Sequence, residues 1–186
     1  MINKIANMKF FAKRKNNSKR IYYVQDTYTK ITDYFNVIQN KNVVFVCIGT
    51  NRTHSVDALG PFIGSILKEN KDFDIPIYGT LTDPINAKNI NEKIKIIRTK
   101  HPKQILIAID ASLSAKEDVG KIIIKDSGLI AGKGIGKNHA YVGDISIQGI
   151  MGELELDVVR YYVDMKFLSD MAFEIAKGII KSFMKC

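Results

Sequence analysis

Residues 41–64, KNVVFVCIGTNRTHSVDALGPFIG, constrain what this chain can fold into more than any other stretch. The unbroken apolar run from Val43 to Ile48 is the pattern of a strand buried on both faces of a sheet. Gly49-Thr50-Asn51 turns the chain, and from Val56 the apolar positions recur at helical spacing as far as Lys68-Glu69-Asn70. A buried strand that runs through a polar loop into a helix places the loop at the carboxyl end of the strand. Open α/β sheets build their sites there. Asp57 stands at the start of the helix, where the macrodipole favours a carboxylate, so an ordinary helix-start charge reads the same way.

A second stretch adds to the first. Gln104 to Ser112, QILIAIDAS, is again a buried strand, here ending in Asp110. The alternation of long segments makes both strands parallel members of one sheet. Asp57 and Asp110 then rim one crevice as a candidate acid pair, although a turn-forming carboxylate after a strand is the structural alternative for Asp110.

Taken in order, Lys19 to Val24 reads as a short edge strand or an extended arm. Tyr28, Ile31, Tyr34, Phe35 and Ile38 share one helical face. Asp74 to Thr80 is a short strand closed by Gly79, and Pro84 marks the expected entrance to a helix carrying Ile90, Ile94 and Ile97. His101-Pro102 ends that helix. The expectation continues with a polar connection, SLSAKEDVG, and a strand at Lys121 to Lys125. A glycine-rich loop then spans Gly128 to Gly136, and a last strand, Tyr141 to Ile150, is interrupted by glycines. From Glu153 the pattern is helical almost to the end. Strands alternating with helices predict a three-layer α/β/α sandwich with a mostly parallel central sheet.

Charge and cysteine usage narrow the functional classes. The formal charge is +9, but residues 1–40 hold eight Lys and Arg against two Asp, so most of the excess lies at the amino end. The expectation is a mobile basic arm over residues 1–20 followed by a single domain over residues 21–186, with nucleic acid unlike the partner sought. The two cysteines, one inside the first core strand and one at the last residue, argue against a disulfide framework and for a reducing, cytoplasmic setting. No run approaches the ~18 apolar residues that span a bilayer, and no signal-peptide pattern is present. Gly132, Gly134 and Gly136 lack the context of a nucleotide-binding fingerprint. The aromatic face of the first helix and the long last helix are candidate surfaces for a homo-oligomer.

Five motifs in order, CIGTNRTHSVDALGP, YGTLTDPINAKN, AIDASL, GKGIGK and VGDISIQGI, resemble the YyaC-like sporulation proteins, relatives of the spore germination protease. More remotely the chain is similar to the hydrogenase maturation endopeptidases, whose fold is phosphorylase/hydrolase-like. The resemblance implies a sporulation-associated endopeptidase, with small acid-soluble spore proteins as substrates in the forespore. It carries the protease's two aspartates onto Asp57 of DALGP and Asp110 of IDA. Gly49, Thr50, Asn51, Ser55, Asp83, Asn86 and Asp144 are candidate substrate-binding residues around them. In the maturation endopeptidases acids at these two places help to bind nickel. A divalent metal on Asp57 and Asp110 is therefore an alternative, but the region after Asp110 has no obvious histidine matching that of the maturation endopeptidases, and the resemblance gives neither His54 nor His139 a ligand role. A non-catalytic sporulation protein on the same scaffold is the third reading.

Overall fold

The computed structural model describes residues 19–22, 27–36, 38, 42–52, 54–131, 141–154 and 163–184. The strands are β1 (Lys19–Tyr22), β2 (Val43–Cys47), β3 (Ile77–Tyr78), β4 (Ile105–Ser114), β5 (Lys121–Lys125), β6 (Leu129–Ile130), β7 (Tyr141–Val142) and β8 (Ile145–Glu153). The helices are α1 (Thr27–Phe35), α2 (Leu59–Glu69), α3 (Ile90–Lys100) and α4 (Met165–Phe183). Six strands form one sheet in the order β1-β5-β8-β4-β2-β3. β8, β4, β2 and β3 pair parallel; β5 alone runs against them beside β8, and β1, paired antiparallel with β5, returns to the common direction at the edge. The expected three-layer sandwich with a mostly parallel sheet is therefore present.

Alternation along the central strands feeds two cores. Val43, Phe45 and Cys47 join Ile107, Ile109 and Ile147 beneath α1, α2 and α4. Val44, Val46 and Ile48 join Leu106 and Ala108 beneath α3 and the β6–β7 ribbon. Both faces of β2 are thus buried, which is why its sequence is continuously apolar rather than alternating. Burying a side chain the size of Phe45 or Ile107, both fully covered, contributes about 1.5–3 kcal/mol. Cys47 lies in this core as a free thiol, and burial pushes its pKa up, so it stays protonated and inert.

Several boundaries differ from those expected. α2 starts at Leu59, preceded by a 3-10 turn, Val56–Ala58, that carries Asp57. Pro84 is not at a helix entrance: Ile85 bridges Ile48 in a strand-like segment, and α3 begins only at Ile90. β4 does not end at Asp110 but continues to Ser114, so part of the supposed polar connection is strand. The glycine-rich loop begins as a ribbon, with Leu129 opposite Val142 and Ile130 opposite Tyr141. Gly132, Gly134, Gly136 and His139 lie outside the described residues, as does the arm before β1. Glu153 belongs to β8, not to the last helix, which starts at Met165 behind an Asp164 cap whose carboxylate accepts the Lys166 N–H at 2.9 Å.

Candidate active site

The site is built where β2 stops. After Cys47 the Ile48 N–H still donates to the Ile109 carbonyl at 2.7 Å, and the Gly49 N–H then turns to the Ile85 carbonyl, also at 2.7 Å. The following loop is stapled at its neck by the Thr50 N–H on the Asp57 carbonyl, 2.9 Å. Gly49 makes this closure possible. Its φ is +147°, and a Cβ there would stand 1.9 Å from the Asp57 carbonyl oxygen and 2.8 Å from Cδ of Pro61. The backbone that occupies the space Gly49 leaves is therefore that of Asp57 itself, and the glycine positions the acid. Gly60 lets α2 close on Ile48 in the same way.

Asp57 is exposed on its 3-10 turn, which packs against β4, with Arg52 Nη2 at 4.0 Å from its carboxylate. Asp110 is half-buried in β4, one residue beyond the last β2–β4 pair, Cys47 with Ile109. The Ala111 N–H donates to Asp110 Oδ1 at 2.9 Å, which favours the ionised form. Burial first, and the charge of Asp57 second, outweigh that bond and hold the Asp110 carboxyl well above the ordinary carboxylate range. The two acids therefore feel each other but sit in unlike surroundings. One is wet beside a guanidinium; the other is screened, and its pKa is raised. Unlike environments of this kind divide acid and base roles between two carboxyls.

Other residues named from sequence fall in different places. Thr50 is at the neck of the crevice, and its Oγ1 is buried with no hydrogen-bond partner among the described residues. An unpaired hydroxyl costs about 1–3 kcal/mol, which makes it a group suited to a bound molecule. Asn51 is exposed on the loop. Ser55 is half-buried and offers its carbonyl to Ala58, with its hydroxyl making no cap bond. Asn86 lies beside Gly49 through Ile85, but its Oδ1 accepts the Lys88 N–H at 3.0 Å, so its side chain serves its own turn. Asp83 forms an exposed ion pair with Lys93 at 3.0 Å. Asp144 is not brought to the crevice. It sits at the amino end of β8, paired bidentately with Arg98 at 3.0 Å and accepting the Leu106 N–H at 2.8 Å, at the opposite end of the strands. Two neighbours were missed: Arg52, and Gln148, which stands in register beside Asp110 on β8. A lone Gln within ISIQGI is the signal that marks the latter.

Among the described residues no cluster of three His, Cys, Asp or Glu side chains is formed, so Asp57 and Asp110 stand without a third ligand of that kind. His54, exposed on the site loop with φ +60°, uses its carbonyl to accept the Val163 N–H at 3.0 Å, tying the loop to the chain before α4. Among the described residues no helix is long and apolar enough to cross a membrane.

Comparison with known proteins agrees with this architecture. The family described as "Protein of unknown function (DUF1256)" matches residues 12–182. The chain is 37% identical over 142 residues to the "Uncharacterized protein YyaC" of Bacillus subtilis (strain 168), covering 75% of this chain and 68% of that protein. Among solved structures it is similar to the [NiFe] hydrogenase maturation protease HycI from Thermococcus kodakarensis KOD1. That likeness has a TM-score of 0.54 and 14% identity over 82% of this chain and 99% of the other, and at such identity it speaks for the fold.

Proposed function

The chain belongs to the DUF1256 family, and from that premise we propose that it is an endopeptidase of the spore germination protease type that works through Asp57 and Asp110. The observation that carries the reading is the asymmetry of the pair, a screened Asp110 of raised pKa within the field of an exposed Asp57. Asp57 takes a proton from water as the water oxygen bonds to the substrate carbonyl carbon, and Asp110 gives its proton to the carbonyl oxygen. On collapse the C–N bond breaks. The proton on Asp57 passes to the leaving nitrogen, and a hydroxyl of the intermediate returns one to Asp110, which restores the pair. The Arg52 guanidinium stands 4.0 Å from the Asp57 carboxylate at the mouth of the crevice, and the Thr50 hydroxyl holds the water or the substrate main chain. The substrate class is protein, with small acid-soluble spore proteins in the forespore as the first case to test.

Digestion of those proteins by wild type, Asp57→Asn and Asp110→Asn, each with and without chelator, tests the reading. Cleavage that is lost in both variants and indifferent to chelator supports the acid pair. Cleavage abolished by chelator favours a metal-assisted hydrolase on the same two acids. An inert wild type removes this substrate and shifts weight to a binding protein on the same scaffold.

A further inference from the structure

We infer that the substrate is an extended peptide that adds as a strand to the edge of β4 at Ala111–Leu113, left unpaired among the described residues, along the line β2 abandons at Gly49. This rests on the peptidase reading and gives its substrate a conformation. In a parallel ladder each residue directs both its N–H and its C=O to one side, and successive residues alternate. The Ile105 N–H meets the Asn42 carbonyl at 2.9 Å and the Ile109 carbonyl meets the Ile48 N–H at 2.7 Å, so odd-numbered residues of β4 face β2. The Leu106 carbonyl meets the Asp144 N–H at 2.7 Å and the Ser114 carbonyl meets the Leu154 N–H at 2.9 Å, so even-numbered residues face β8. The irregularity at Ser112/Leu113 skips a residue of β8, from Ile150 to Gly152, and leaves the alternation of β4 intact.

Ala111 and Leu113 therefore face the side that β2 has left, since its pairing stops at Cys47 and Ile109. The Ala111 N–H is taken by Asp110 at 2.9 Å. Among the described residues the Ala111 carbonyl and the Leu113 N–H have no backbone partner. A carbonyl at one residue and an N–H two residues on are the pair that a single residue of an added parallel strand uses. Unpaired main-chain groups at a sheet edge select another main chain rather than a particular side chain. Asp110 lies beside this edge, and Asp57 stands on the turn packed against β4. A peptide laid here crosses the acid pair with its backbone extended. A folded segment, its main chain already paired, cannot.

The test uses short overlapping peptides that tile one small acid-soluble spore protein, measured by fluorescence anisotropy against Asp110→Asn and by cleavage against wild type. Peptides that bind are then resynthesised with single backbone N-methyl groups. N-methylation at one position weakens binding on the order of tenfold and its immediate neighbours are tolerated, because only alternate N–H groups face β4. Leu113→Pro, which removes an N–H that pairs with no neighbouring strand, weakens binding similarly, whereas Leu113→Ala keeps it. Binding by no peptide, N-methyl effects without alternation, or a folded Leu113→Pro that binds as wild type overturns the strand edge. If Leu113→Pro does not fold, the N-methyl series on the wild-type edge decides. Periodic binding without cleavage keeps the edge and sinks the peptidase; cleavage without periodicity does the reverse.

Discussion

At the scale of single residues, Asp110 holds its proton because burial and the Asp57 charge together outweigh one backbone hydrogen bond. Two consequences follow from that sign. Activity that needs Asp110 as an acid falls as pH rises through its raised pKa, and Asp57→Asn, by removing the like charge, lowers the pKa of Asp110 as read by carboxyl NMR titration. In the folded protein Asp110 binds its proton more tightly than in the unfolded chain, where a carboxyl titrates near about 3.9. Its stabilising contribution is therefore complete below that value and is lost as pH rises through the folded pKa. Asp110→Asn removes this dependence: thermal melts across pH show it no less stable than wild type at neutral pH, with kcat lower by about 10²–10⁴-fold. Gly49 offers the opposite test. Gly49→Ala meets the Asp57 carbonyl and keeps a φ of +147°, so it costs roughly 1–3 kcal/mol in denaturant unfolding and lowers kcat by displacing Asp57. Asp57 was legible in the sequence as a loop acid after a buried strand. The dependence of its position on Gly49 was not, because close approach between non-neighbouring backbones leaves no periodic trace.

At the scale of elements, the sheet was legible wherever a strand is covered on both faces. Val43 to Ile48 and Ile105 to Ile109 are continuously apolar because helices or the ribbon cover each side. β4 seemed to end at Asp110 because its pattern changes there from continuous to alternating. Ala111 and Leu113 go on packing against the three-helix core, while Asp110, Ser112 and Ser114 take the other face. That change marks where β2 departs and a half-covered strand goes on, which is the structural origin of the crevice. Pro84 was misplaced for a related reason. A proline suits the first turn of a helix, but it also suits an extended segment, and the bridge of Ile85 to Ile48 claims it for the latter. Asp144, a strand-adjacent acid, looked like a third site residue, since side-chain direction at a strand start depends on a partner distant in sequence. Its bonds to Arg98 and to the Leu106 N–H make it a clamp between α3, β4 and β8. Asp144→Ala leaves both partners unmet and costs about 1–3 kcal/mol in thermal or denaturant unfolding. Its kcat on the remaining folded protein matches wild type, and a loss of kcat at unchanged stability would return Asp144 to the site.

For the whole molecule, the question is whether the scaffold uses its two acids with or without a metal, and global stability answers it independently of any substrate. A ligand that binds only the folded protein stabilises it by an amount set by its concentration over its Kd, about 2.7 kcal/mol at a hundredfold excess. Asp57 and Asp110 bridge the 3-10 turn, β4 and, through the Gly49 staple, the end of β2, so an ion shared by them would cross-link three parts of one cooperative core. Such an ion would appear as a rise in Tm. It would also release Asp110's proton, since a cation beside the carboxyl favours the ionised form against the burial that now opposes it. The acid-pair reading therefore predicts that chelator leaves the Tm of purified protein unchanged at neutral pH. It further predicts that magnesium, zinc or nickel shifts wild type and Asp57→Ala equally, as weak surface binding does. A shift seen in wild type and absent from Asp57→Ala, accompanied by proton release on titration, would instead give the pair a metal-holding role. In that event the same crevice would act by polarising a carbonyl rather than by protonating it.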